Sequence, residues 1–128
     1  MEKPVQITYD SVAQAWSAEN PIKVYPGVTR IVWRISLTDN DAGDIRFDTR
    51  PESQGITFAP GWPGTQPHGD ERMWSSTLKD TMSPNEPPLN FEYTVNAIYR
   101  SDRSEIAQPI SWDPDVEEGG GPPPIKHG

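Results

Sequence analysis

Thr29-Arg30-Ile31-Val32-Trp33-Arg34-Ile35-Ser36-Leu37 decides the fold. Strand side chains alternate between two faces, so Ile31, Trp33, Ile35 and Leu37 share one apolar face. Arg30, Arg34 and Ser36 take the other. A second run repeats the pattern at Leu89-Asn90-Phe91-Glu92-Tyr93-Thr94-Val95-Asn96-Ala97-Ile98-Tyr99. Its apolar side carries Leu89, Phe91, Tyr93, Val95, Ala97 and Tyr99. Two central strands are predicted, and their apolar faces define the expected core.

Shorter runs flank these two. Val5, Ile7 and Tyr9 alternate with polar residues, which predicts a half-buried strand. Ile22 with Val24, Ile45 with Phe47, Ile56 with Phe58, and Met73 to Leu78 predict further short strands. Ile106, Ile110 and Trp112 place a last one, with Pro109 marking an edge or bulge. Residues 11–20 fit one helical turn or a short irregular strand, ended by Asn20-Pro21. Turn residues cluster at 39–44, 50–55, 83–88 and 100–104, and Gly and Pro make residues 60–71 a long loop. Seven to nine short strands with turns between them predict an all-β, antiparallel β-sandwich over residues 1–112. Immunoglobulin-like and cupredoxin-like connections fit this pattern equally. Residues 113–128 are acidic, then rich in Gly and Pro, and are expected to form a loosely held tail.

Composition narrows the function classes. The chain has 128 residues, of which only 33% are hydrophobic, with 15 prolines and 10 glycines. Mean hydropathy is -0.74. The apolar residues are nevertheless clustered, as a folded domain with polar loops requires. The net charge is -8, with 11 basic residues scattered among 19 acidic ones, and the isoelectric point is about 4.6. A phosphate backbone needs clustered Lys and Arg, so nucleic acid and anionic membrane are not expected partners. There is no cysteine, which rules out disulfides, thiolate metal ligands and a blue-copper site. The first residues run straight into a strand pattern with no apolar leader, and a cytoplasmic protein is expected.

The end of the chain carries a resemblance. Phe91-Glu92-Tyr93-Thr94-Val95, then Gln108-Pro109-Ile110, then Asp113-Pro114-Asp115-Val116 and a Gly/Pro tail are similar to the DP-EP family, a group of small uncharacterised bacterial proteins. Asp113-Pro114 matches the first pair of that name. The Glu-Pro pair is absent, since Glu118 is followed by Gly119. The resemblance implies a bacterial origin and a sandwich fold, and it implies no activity.

Candidate sites are few. The histidines are His68 and His127, one in a Gly/Pro loop and one near the C-terminus, and a catalytic triad needs a histidine held by packed neighbours. No enzyme and no cofactor are expected. Asp39, Asp41 and Asp44 share one turn and are weak calcium candidates, since hard cations favour oxygen ligands. Counted from Asp39, however, Gly43 and Asp44 fall at the wrong places for a calcium-binding EF loop. Trp62 and Trp74 flank the long loop with His68 between them. They are expected either to anchor a ligand, with His68 as a polar contact, or to fold back and plug the loop onto the core. The expectation is a small non-enzymatic binding or protein-interaction domain, taking an unknown protein or small ligand. Its alternatives are a carbohydrate-binding module acting through the loop tryptophans, and a structural homo-oligomer paired through strand edges.

Overall fold

A computed structural model of the chain describes residues 1–25, 27–78 and 89–118. The described residues form eleven strands and no helix, and therefore no helix long and apolar enough to cross a membrane. The strands build two facing sheets that do not close into a barrel, an all-β sandwich.

The first sheet contains β1 (Glu2–Asp10), β2 (Ala15–Ser17), β4 (Arg30–Leu37), β7 (His68–Gly69) and β8 (Met73–Thr77), in the order β2-β1-β4-β8-β7. As the long alternating run predicts, β4 lies at its centre. The second sheet is organised on β9 (Leu89–Arg100). Along one side of β9 run β10 (Gln108–Trp112) and β11 (Asp115–Glu118), and along the other run β5 (Asp44–Phe47) and β6 (Ile56–Phe58). Strand β3 (Ile22–Val24) lies outside β11.

Two features depart from the expected antiparallel sandwich of seven to nine strands. The sheets are mixed, because β1 pairs in parallel with β4, and β3 with β11. Between β1 and β4 the chain leaves the first sheet after β2 and joins the second as β3. It thus returns to β4 in the same direction as β1. Alternation reports which face a residue takes and carries no information on strand direction.

The second departure is two unforeseen strands, β7 and β11. Residues 115–118 were expected to begin a loose tail. Instead β11 continues the register of β10 along β9, from Trp112 opposite Val95 to Asp115 opposite Glu92. Val116 and Pro114 are fully buried. One apolar residue among acidic ones is too little to register as alternation. The expected loop at 83–88, the Gly/Pro part of the tail and His127 lie outside the described residues.

The core sits between the sheets as predicted. Val5, Ile7, Tyr9, Ile31, Trp33 and Ile35 face Ile45, Phe47, Ile56, Phe58, Tyr93, Val95 and Ala97, all buried. Trp33 packs on Phe58 and Tyr93 at ring-centroid distances of 6.1 and 5.6 Å. Leu89 is an exception to the inner face assigned to β9, being 61% exposed. At that end β9 has run past the buried layer, as its burial pattern shows.

Candidate functional site

The long loop folds back on the core. Trp62 is 8% exposed and Trp74 4% exposed. The Trp62 ring stacks on Phe58, with centroids 3.9 Å apart and planes within 4°, and meets the edge of Phe91 at 5.3 Å. Its Nε1 donates to Ser76 Oγ at 3.0 Å, and that hydroxyl donates to the Thr65 carbonyl at 2.6 Å. Trp74 Nε1 donates to the Asp70 carbonyl at 2.6 Å, and its ring meets Phe47 edge-on at 6.3 Å. Two loop glycines, Gly64 and Gly69, make room for this packing. A Cβ on Gly64 would stand 2.6 Å from Trp62 Nε1, and one on Gly69 would strike the Met73 carbonyl and stand 2.8 Å from Trp74 Cγ. His68 is exposed on β7, opposite Ser75. The expected trio is therefore split, with two indoles in the core and the imidazole outside. In this arrangement neither ring has a face open to a ligand.

The acidic turn has a structural role of its own. Asp41 Oδ1 accepts from the Gly43 N–H at 2.8 Å. Its Oδ2 accepts a short hydrogen bond from Ser11 Oγ and a longer one, at 3.4 Å, from the Tyr99 hydroxyl. The Ser11 hydroxyl, followed by the Gly43 N–H, holds the Asp41 carboxyl below the usual carboxylate range. Asp44 instead approaches Arg72, at 3.8 Å. Asp39, Asp41 and Asp44 do not converge, and the described residues contain no group of acidic or histidine side chains placed to hold a metal ion.

Asp41 brings together three parts of one end of the sandwich. Ser11 belongs to the β1–β2 turn, Asp41 to the β4–β5 turn, and Tyr99 to the end of β9. The β1–β2 turn is itself fixed by Asp10, whose Oδ1 accepts from the N–H groups of Val12 and Ala13 at 3.0 and 3.1 Å. Gln14 closes that turn at φ 53°, and Val12 at its tip is 95% exposed. Between these turns lies a cleft of about 550 Å³, lined by Asp10, Ser11, Asn40, Tyr99, Asp102 and Arg103 among others.

Beneath the cleft runs a row of four aromatic rings. Tyr99 lies 5.7 Å from Tyr9, and Tyr9 lies 4.7 Å from Trp16. Trp16 stacks on Trp112 at 5.9 Å with planes within 5°. Trp16 and Trp112 are partly buried and sit on β2 and β10, the outer strands of the two sheets on this side. Sequence reasoning put Trp112 on the last predicted strand and left Trp16 within the stretch 11–20, read as one helical turn or a short irregular strand. It missed their stacking, because the two positions are far apart in the chain.

A second, smaller cleft of about 290 Å³ opens beside Asp48, Arg50, Ile98 and Pro109. Its charges are already paired. Asp48, 2% exposed, accepts from Arg50 Nε at 3.0 Å and Nη2 at 2.7 Å, and from Ser53 Oγ at 2.8 Å. The Arg50 guanidinium holds its carboxyl at about 2. Arg46 pairs with Glu71 at 3.2 Å. Neither protein-family models nor curated proteins yield a match to this chain.

Proposed function

We propose that the protein is a non-enzymatic binding domain that seats a small polar ligand or a partner's loop in the cleft between its β1–β2, β4–β5 and β9–β10 turns. The observation that carries this reading is the Asp41 carboxylate, which ties Ser11, Gly43 and Tyr99 to one point. Tied loops form a cleft before any ligand arrives, and a preformed cleft loses less entropy on binding. Loops displayed from a rigid scaffold are the usual carriers of recognition. The Tyr99 ring and the exposed Val12 side chain offer apolar contact, while Asn40, Asp102 and Arg103 offer polar groups that fix orientation.

The same geometry supports binding over catalysis. Ser11 donates to Asp41, but Asp41 is held ionised by two further donors and is a poor base. The likeness to the DP-EP proteins brings no ligand with it. The carbohydrate alternative through Trp62 and Trp74 finds no support in two buried indoles.

The test is a thermal-shift panel of amino acids, short peptides, nucleosides and oligosaccharides on the wild-type protein and on Asp102→Ala and Arg103→Ala. Binding to the folded state raises the melting temperature in a concentration-dependent way. The reading expects at least one class to do so, with the shift reduced in one of the variants. A ligand whose shift is unchanged in both variants binds elsewhere and refutes the cleft.

A further inference from the structure

We infer that the outer edge of β10 pairs with the same edge of a second copy of this chain, in an antiparallel ladder centred on Ser111.

Among the described residues, strand β10 has a free side. It pairs with β9 on one side and closes the strand order on the other. Its pairing parity identifies the outward backbone groups. The Tyr93 N–H bonds the Pro114 carbonyl at 2.9 Å, so Pro114 and Tyr93 are a hydrogen-bonded pair. In an antiparallel ladder such pairs alternate with pairs whose groups point away. Trp112, Ile110 and Gln108 therefore bond β9, while Asp113, Ser111 and Pro109 present their groups outward. Among the described residues, the Ser111 and Asp113 N–H groups have no hydrogen-bond acceptor.

The outer edges of β5 and β3, by contrast, are covered by their own chain. The outward N–H of Phe47 on β5 bonds the Glu71 carbonyl at 2.9 Å. On β3, the Lys23 N–H bonds Glu19 Oε2 at 2.8 Å. The lower part of the β10–β11 side is taken by β3 and by Asn20, whose Oδ1 accepts from the Asp115 N–H at 3.0 Å. The free stretch thus runs from Gln108 to Asp113.

Charge selects the occupant. The chain carries a net charge of -8, and 23% of its residues are charged, yet Gln108-Pro109-Ile110-Ser111-Trp112 contains none. Neither does Ala15-Trp16-Ser17 of neighbouring β2. Natural edges are commonly guarded by charge, above all by Lys. This side instead offers a ladder whose one charged residue is the terminal Asp113, beside the stacked, partly buried pair Trp16 and Trp112. Aromatic residues are enriched and charges depleted at the centre of protein interfaces. Two acidic copies can meet here without opposing carboxylates along the strand.

The stretch also complements itself. With Ser111 opposite Ser111 of the second copy, the two residues exchange both N–H···O bonds. Each Asp113 N–H then meets the facing Pro109 carbonyl. Pro109 removes one outward donor from each copy, which makes the pairing weaker than a full ladder.

The experiment exploits the absence of cysteine. Directly opposed residues in a hydrogen-bonded pair have Cα atoms about 5.5 Å apart, inside the ~4.4–6.8 Å window of a disulfide. Under mild oxidation Ser111→Cys is expected to form a covalent dimer at least tenfold faster than Glu52→Cys, an exposed turn position outside β10. Sedimentation velocity from about 1 µM to about 1 mM should show the wild type moving from monomer to dimer mass. Ser111→Lys, an exposed substitution that opposes two ammonium groups, should stay monomeric with an unchanged melting curve. A wild type that is monomeric throughout, or a dimer that survives Ser111→Lys, overturns the inference. So does Ser111→Cys crosslinking no faster than Glu52→Cys.

Discussion

Four of the five tryptophans divide into two pairs, and the pairs have opposite roles. Trp62 and Trp74 are close in sequence, lie in or beside a Gly/Pro-rich loop, and are buried with both indole N–H groups bonded inside the molecule. Trp16 and Trp112 are far apart in sequence, stand on short outer strands, and stack on each other while partly open. Of the two roles expected of the long loop, display surface or plug, its buried indoles fit the plug. The short outer strands β2 and β10 carry the partly open aromatic surface. Proximity in sequence is a poor guide to which rings face water. Partners do better: an indole whose N–H and face are both occupied has nothing left for a ligand.

The sharpest way to break this comparison is to remove a plug ring. Trp62→Ala leaves a hole against Phe58 and Phe91 and strips Ser76 of its donor. Truncating a buried aromatic costs about 3–5 kcal/mol, and Trp74→Ala is expected to match it. Urea unfolding measures both. A loss below about 1 kcal/mol for both would mean that the loop is not part of the core and would reopen it as a binding surface.

Next in size is a charge effect. The Arg50 guanidinium holds the Asp48 carboxyl at about 2 in the folded protein, below the ~3.9 of a free aspartate. A depressed carboxyl contributes stability above its unfolded value and loses it as pH falls through the folded value. The window is therefore between about pH 4 and pH 2, and the contribution is about 2 kcal/mol. Asp48→Asn should be less stable than wild type by that order at pH 7, and the difference should shrink towards pH 2. A gap of constant size across that range would show that the variant acts through shape rather than charge.

The open pair should respond more weakly. Trp112→Ala removes one partly exposed ring and its stacking, and a total near 1–2 kcal/mol is expected, of which about 0.5–1.5 kcal/mol is ring–ring contact. Acrylamide should quench the fluorescence of Trp16 and Trp112 in the wild type while leaving Trp33, Trp62 and Trp74 protected. If Trp112→Ala leaves the quenchable fraction unchanged, the two pairs have been assigned the wrong way round.

The outline of the fold was legible because it is written in period-two alternation. Ile31, Trp33 and Ile35 face Tyr93, Val95 and Ala97 as the two long runs require. What alternation could not supply is direction and partnership. Parallel pairing of β1 with β4 depends on where the chain crosses between sheets. Strand β11 is held by one buried valine and by register inherited from β10. The cleft was half legible. Asp41 was singled out as a possible cation ligand, and its actual partners, Ser11 and Tyr99, are 30 and 58 residues away. A carboxylate in a turn can cap backbone, tie loops or bind metal, and only its neighbours in space choose among these.

Two tyrosines on β9 give the smallest and most discriminating contrast. Tyr99 donates its hydroxyl to Asp41 at 3.4 Å and helps to tie the cleft. Tyr93 is fully buried, and among the described residues neither its hydroxyl nor the adjacent Trp33 Nε1 has a hydrogen-bond partner. Burial pushes the Tyr93 hydroxyl well above the usual tyrosine range, and the nearby indole N–H pulls the other way. A buried hydroxyl without a partner keeps its desolvation cost, so replacing it with hydrogen recovers that cost and leaves the ring packing intact. Tyr93→Phe is therefore expected to be neutral or to stabilise by up to about 1 kcal/mol. Tyr99→Phe breaks a bond to a charged acceptor and should destabilise by about 0.5–1 kcal/mol, with any ligand of the cleft bound more weakly. The two variants differ by the same oxygen atom on the same strand, so opposite signs in parallel urea titrations would isolate the worth of the tie at Asp41. Equal losses in both would show that the Tyr93 hydroxyl has a partner after all, and that both hydroxyls hold β9 alike.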